Sequence, residues 1–451
     1  MIIMAGMKQK FAARRRVATL ATTALGAVAL LVLAGCGGGG TAAADSASSA
    51  AAGAATLSAP AQVGALLFAD AQLSASGQQS CASCHVAATG FAAADGRPVP
   101  LGGPQMNLPG LRNTPSLMYA SFTPSFHLQT DGTPVGGFFR DGRAATLAAQ
   151  ARQPFLNPFE MANASPAELL GRLKQRPYFA QFTAVFGTGA ASDPDAALTA
   201  VAAALAAYES EAPQFHPFSS KFDAFLQGQA TLSTAEAQGY ALFIDPSKGN
   251  CTACHVATAT GGAHPLFTDF TYDNVGVPRN WAIEANAADS TLPYVPANGA
   301  ALGAPNDRYY DLGLCGPTRT DLPVPSLCGF FKVPSLRNVA LRQHYFHNGV
   351  FSTLNEVVSW YATRDTDPAR WYLQADGLTP DLPYNDLPAL YDANVNVTEV
   401  PYNPGIAPTL TPAQVNLVVS FLCTLTDGYD PAQPASYALP PQCLAAAAAA
   451  Q

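Results

Sequence analysis

Charge is what this sequence most lacks. Only 12% of its 451 residues are Asp, Glu, Lys or Arg, against ~25% in ordinary soluble domains, and about half are apolar, which excludes charge-driven disorder for most of the chain. Basic residues number 23 against 31 acidic ones, a balance opposite to the basic footprint of nucleic-acid binding. Five of the bases (Lys8, Lys10, Arg14, Arg15, Arg16) precede residue 36, where no acid occurs; without them 18 face 31, a formal charge of −13. Nine cysteines are too few for a disulfide scaffold of this length. Methionine is absent after residue 161, the six lying at 1, 4, 7, 106, 118 and 161. What is present, a long chain rich in Ala, Gly and Pro, suffices for two or three domains with well-formed cores.

Residues 8–16 form a basic segment and Val17 to Leu33 an apolar run. The run ends in Leu33-Ala34-Gly35-Cys36, which looks like a bacterial lipobox with Cys36 as the lipidated first residue. A retained transmembrane anchor is the alternative, since the run approaches bilayer-spanning length. The Gly/Ala/Ser tract that follows reads as a tether reaching ~25–30 Å as a random coil. Both readings put the folded part on the periplasmic side of a bacterial membrane, where disulfides and covalent haem are possible. By analogy with other lipoproteins, the lack of Asp after Cys36 points to the outer membrane.

Cys81-Ala82-Ser83-Cys84-His85 recurs as Cys251-Thr252-Ala253-Cys254-His255. C-x-x-C-H is the c-type haem attachment signature: two thiols add to the haem vinyl groups and the adjacent His becomes an iron ligand. One copy alone would equally suit a zinc knuckle or a redox dithiol. Two copies behind an export signal point to two haems. The duplication extends further. Gly64, Leu67, Phe68 and Asp70 match Gly239, Leu242, Phe243 and Asp245; Thr114-Pro115-Ser116-Leu117 answers Val333-Pro334-Ser335-Leu336; Asp141-Gly142 leads to Thr146-Leu147 as Asn348-Gly349 leads to Thr353-Leu354. Four matched landmarks in order imply a tandem repeat.

The expected organisation is a leader over 1–36, a tether over 37–60, cytochrome c-like domains over 61–228 and 229–430, and a tail over 431–451. Short helices are expected at 62–69 and 235–243, leading into each motif. Capping patterns start further helices at Ser165 and Thr411, the latter running to Leu425, and Asp195 to Tyr208 is helical in pattern. Residues 285–330, rich in Pro, Gly and Asn, read as an irregular insertion. No strand pattern competes, so the fold class is mainly α. With Cys36 lipidated and four cysteines on haem, Cys315, Cys328, Cys423 and Cys443 remain. Proximity suggests pairing 315 with 328 and 423 with 443, and other pairings stay open.

These features resemble the bacterial di-haem cytochrome c peroxidase / MauG family, through LLFADAQLSASGQQSCASCH, LRNTPSLMYA, FFRDGRAATLAAQA, LFIDPSKGNCTACH and VPSLRNVALRQHYFHNGVFSTLNEVV. The resemblance spans about residues 60–428. It implies a peroxidatic N-terminal haem, an electron-transferring C-terminal haem and a calcium ion between them. It also implies that Gln150 and Glu160 line the distal pocket of the first haem, with Pro154 between them. A carboxylate there can take a proton from peroxide as it binds iron and return it to the leaving oxygen. Many members carry a displaceable distal His; the corresponding stretch, Gly102 to Met106, has none, which implies an open iron, with Met106 as a rival ligand.

For the second haem, the family's distal Met is excluded by the absence of methionine after 161. Tyr361 falls where MauG-like members place a Tyr, with His264, His344 and His347 as competing donors. A phenolate would lower the haem potential where Met raises it. The resemblance further implies calcium held by Asn113 and by the backbone carbonyls of Arg342 and His344, oxygen donors that suit Ca²⁺. Where the family has Trp before DGR, this chain has Arg140, leaving Phe138, Phe139 or Trp360 as the electron conduit. The expected activity is oxidation driven by hydrogen peroxide, with a small cytochrome c or cupredoxin as donor or a protein as substrate. The competing class is a non-catalytic di-haem electron carrier.

Overall fold

The computed structural model describes residues 56–258, 264–287, 309–402 and 407–449. The leader, Cys36 and residues 37–55 of the tether lie outside them, as do residues 288–308 of the insertion. Among the described residues no helix is long and apolar enough to cross a membrane.

Each half opens on a helix with its own cap. Ser58 accepts from the Ala61 N–H to start Ala59–Ala69, and Ser233 forms a capping box with Glu236 to start Thr234–Ile244. The first helix packs across Pro194–Glu211 and the second across Pro412–Cys423. The matched glycines are the reason for both crossings. A Cβ at Gly64 would collide with the Ala204 carbonyl oxygen, and one at Gly239 with that of Leu417, so each pair of backbones approaches to where only hydrogen fits. Around the first crossing Leu67, Phe68, Phe182, Leu198, Val201 and Phe215 form one core. Around the second, Phe222, Phe243, Phe267, Trp360, Val418 and Phe421 form another.

The other expected helices are present with adjusted ends. Asp193 caps Pro194–Glu211, with Pro194 at its first turn, so this helix extends the expected 195–208 segment both ways. Ser165 accepts from the Glu168 N–H, but Glu168 answers the backbone of Ala164 rather than of Ser165 itself. Thr411 forms the full capping box with Gln414, and its helix stops at Cys423, short of Leu425. Three two-residue antiparallel ladders were not legible in the sequence: Leu101–Gly102 with Leu108–Pro109, His127–Leu128 with Pro134–Val135, and Tyr272–Asp273 with Phe331–Lys332. Two residues are too few for an alternation to register.

Two features of the C-terminal half depend on its disulfides. The described part of the insertion is ordered around the Cys315–Cys328 disulfide, with Tyr310, Leu312, Leu387 and Tyr391 packed about it. Residues 431–449 are not a loose tail. Helix Pro441–Ala449 packs on Pro412–Cys423, joined by the Cys423–Cys443 disulfide, and Cys443 and Ala446 belong to the second core.

Candidate active site

The two C-x-x-C-H motifs are built alike. Cys81–Cys84 forms a single helical turn and Cys251–Ala253 a 3₁₀ turn, and none of the four cysteines is in a disulfide. The His85 Nδ1 lies 2.9 Å from the Phe91 carbonyl, and the His255 Nδ1 2.9 Å from that of Phe267. Both phenylalanines adopt the left-handed conformation, φ 53° and 54°, within the turns that place those carbonyls. Such a bond holds the proton on Nδ1 and leaves the Nε2 lone pair for iron. Burial pushes both imidazoles down, His255 to about 4, so they stand neutral, as metal ligands must. Each motif lines its own largely apolar cavity. Paired thiols outside any disulfide and a neutral, oriented imidazole lining one cavity fit a covalently attached haem. A zinc knuckle does not fit: among the described residues the only cluster of metal donors is Cys254, Asp273 and Glu399, which includes neither motif histidine.

Gln150, Pro154 and Glu160 line the cavity of the first motif. Gln150 sits in helix Leu147–Ala151, started by Thr146 as its counterpart Thr353 starts Leu354–Thr363. Burial raises the Glu160 pKa above its ordinary value, opposed by the Arg143 charge and by a 2.8 Å hydrogen bond from the Asn157 side chain. Met106 is not among the residues lining this cavity. Glu209, an acid at the end of an Ala-rich helix that carries no sequence signal, is buried, lines the same cavity and is pushed up to about 8 by that burial.

Tyr361, from helix Leu354–Thr363, lines the cavity of the second motif. So does Tyr402, which carried no sequence signal. Its ring lies 5.9 Å from that of Tyr361. Burial pushes the Tyr361 phenol well up. Of the competing histidines, His264 does not line this cavity and turns Nδ1 to Asp223 at 2.7 Å. Both ring nitrogens of His344 meet carbonyls, of Gly349 and Gly96. His347 stacks on Phe331 with its Nε2 3.2 Å from Asp386.

A third cavity lies between these two sets of residues, lined by Phe138, Phe139, Arg140, Lys332 and Arg342. Phe139 also lines the first haem cavity and Arg140 lines all three. Trp360 lines none of them and is fully buried in the second core. Two of the three expected calcium ligands, Asn113 and the Arg342 carbonyl, are already engaged by the chain's own donors, which does not fit a metal ion here. The Arg140 guanidinium donates to the Asn113 Oδ1 at 2.9 Å and to its carbonyl at 3.1 Å. The Arg342 carbonyl accepts from the Tyr345 hydroxyl at 3.1 Å.

Residues 58–231 match the family model described as di-haem cytochrome c peroxidase. The methylamine utilization protein MauG of Paracoccus denitrificans is 40% identical over 308 residues, 67% of this chain and 73% of that one. The cytochrome c551 peroxidase of Nitrosomonas europaea is 29% identical over 305 residues, 66% of this chain and 71% of that one. The crystal structure of the diheme peroxidase BthA from Burkholderia thailandensis superposes with a TM-score of 0.72 at 38% identity, covering 82% of this chain and 86% of that one.

Proposed function

The chain belongs to the di-haem cytochrome c peroxidase family, enzymes that act on hydrogen peroxide, and from that premise we propose that its first half reduces peroxide while its second half exchanges electrons with a protein partner. The observation that carries this reading is the placement of Glu160 and Gln150 in the cavity of His85. When bound there, haem iron supplies a site for a peroxide oxygen and the electrons that cleave the O–O bond. Glu160 takes the proton from the oxygen that binds and delivers it to the oxygen that leaves, and Gln150 orients the peroxide. Two electrons and two protons convert one hydrogen peroxide to two waters. Burial suits Glu160 to both roles, because a raised carboxyl pKa brings proton release and return closer to balance.

In the second half, His255 and Tyr361, which line one cavity, would hold the iron of the other haem. A phenolate donor stabilises the ferric state and disfavours a high-potential electron store. That supports oxidation of a protein substrate, as a second reading beside electron delivery from a small cytochrome c or cupredoxin. Export, with lipid on Cys36, is part of the proposal and rests on residues 8–36 alone.

The deciding experiment is the spin state of the resting ferric protein, followed by peroxide addition. A high-spin component lost on adding peroxide, with catalytic turnover, supports the enzyme. Two low-spin haems inert to peroxide would leave the electron carrier.

A further inference from the structure

Between the two haem cavities the charges do not balance. Arg112 holds both Asp141, at 2.7 Å, and Asp311, and Asp141 is shared further with Arg143 at 3.0 Å. Those carboxylates are spent. Arg140, Lys332 and Arg342 form no ion pair among the described residues. Arg140 finds the two oxygens of Asn113, the Lys332 ammonium donates to the Gly137 carbonyl, and Arg342 donates to the Ser335 carbonyl at 3.2 Å, with its Nε left unpartnered. Three cations sharing a buried space with only neutral acceptors are costly unless anions join them. Each haem brings two carboxylate side arms. A calcium ion here would add two positive charges to the excess and would have to displace a guanidinium from Asn113.

We propose that the Arg140 guanidinium is a built-in replacement for the inter-haem calcium ion, and that it pairs with carboxylates of both haems, assisted by Arg342 and Lys332. The assignment to both haems follows from position: Arg140 lines the cavity of each motif and the space between. This inference rests on the two-haem reading above. It removes any need for added calcium and ties the two haems to one shared positive charge.

The test uses the haem-loaded full chain, purified with calcium in every buffer, with its haem count verified. Metal analysis should find calcium far below one per chain, and chelation should leave the haem spectra unchanged. One tightly held calcium per chain would overturn the proposal, with no variant required. Arg140→Gln should lower both haem midpoint potentials, because losing a nearby positive charge favours the ferric state. Arg140→Lys, which keeps the charge, should return both toward the wild-type values. Potentials unmoved in Arg140→Gln, or a fall at one haem alone, would overturn the shared pairing. Failure of the peroxidase reading looks different: both haems present, calcium absent and no peroxide turnover.

Discussion

The side-chain amide of Asn157 donates to Oε1 of Glu160 at 2.8 Å, within a single loop over the cavity of His85. The bond favours the ionised carboxylate, while burial, the larger effect, favours the protonated one. The proton affinity of Glu160 is thus set by two opposed contributions, each reachable by substitution.

Glu160→Gln should reduce peroxide turnover by roughly 10²–10⁴ with both haems still attached. As the base, Glu160 must be ionised, so wild-type activity should fall as pH drops through a value above the ordinary carboxylate range. Asn157→Leu, which removes the hydrogen bond, should move that acid limb to still higher pH. Steady-state peroxide assays across pH measure both, and a limb that Asn157→Leu leaves in place or moves to lower pH contradicts the assignment.

Tyr361→Phe should convert the second haem from six- to five-coordinate and raise its potential, since an anionic donor is lost at nearly constant ring volume. The first haem's spectrum should change little. Electron paramagnetic resonance and redox titration of one sample distinguish the sites. An unchanged low-spin signal in Tyr361→Phe that disappears in a His347 variant would make histidine the ligand.

Intact mass of the exported chain, made in a host with cytochrome c maturation, should show two covalent haems. Replacing Cys251 and Cys254 together with Ala should leave one. A single haem on the unaltered chain would contradict the duplicated motif reading.

Asp223 is buried under Arg337, which it binds through both carboxylate oxygens at 2.7 and 2.8 Å. Burial alone would raise its pKa, but Arg337 and Ser220 outweigh burial and hold it at about 2. A depressed carboxylate stabilises the fold above its unfolded pKa near 4, and that contribution, about 2 kcal/mol, is lost as pH falls toward 2. Asp223→Asn should destabilise by roughly 3–5 kcal/mol near neutrality, because Arg337 is left buried without a counter-charge. Urea unfolding should show the gap between the two proteins narrowing on acidification. A gap constant with pH would remove Asp223 from the acid response.

Local chemistry makes several features legible in the sequence alone. Cys81 and Cys251 announce themselves because haem attachment needs two thiols and a His within one turn. Ser233 and Thr411 mark helix starts because a side-chain oxygen must satisfy an orphan backbone N–H within three residues. The absence of Met after 161 excludes a ligand outright, since a missing residue cannot be supplied by folding. Glycines 64 and 239 declare the repeat, although their reason, carbonyls of Ala204 and Leu417 pressed against them, comes from residues some 140 and 180 positions away.

Partners far apart in sequence were decided only by the tertiary structure. Tyr402 reaches Tyr361 from a Pro-flanked loop with no periodicity, and Glu209 looks like a solvated helix end until the first core closes over it. Residues 431–449 read as a tail because docking of Pro441–Ala449 depends on a surface formed by Pro412–Cys423. Arg140 is the clearest case. The sequence shows an arginine where its family has tryptophan, but whether it faces solvent, a haem or a metal site depends on what surrounds it. Asn113, 27 residues earlier, and Arg342, some 200 later, supply those surroundings. Caps and attachment motifs act over one turn of chain, whereas burial and charge balance act through space, and only the fold sets those distances.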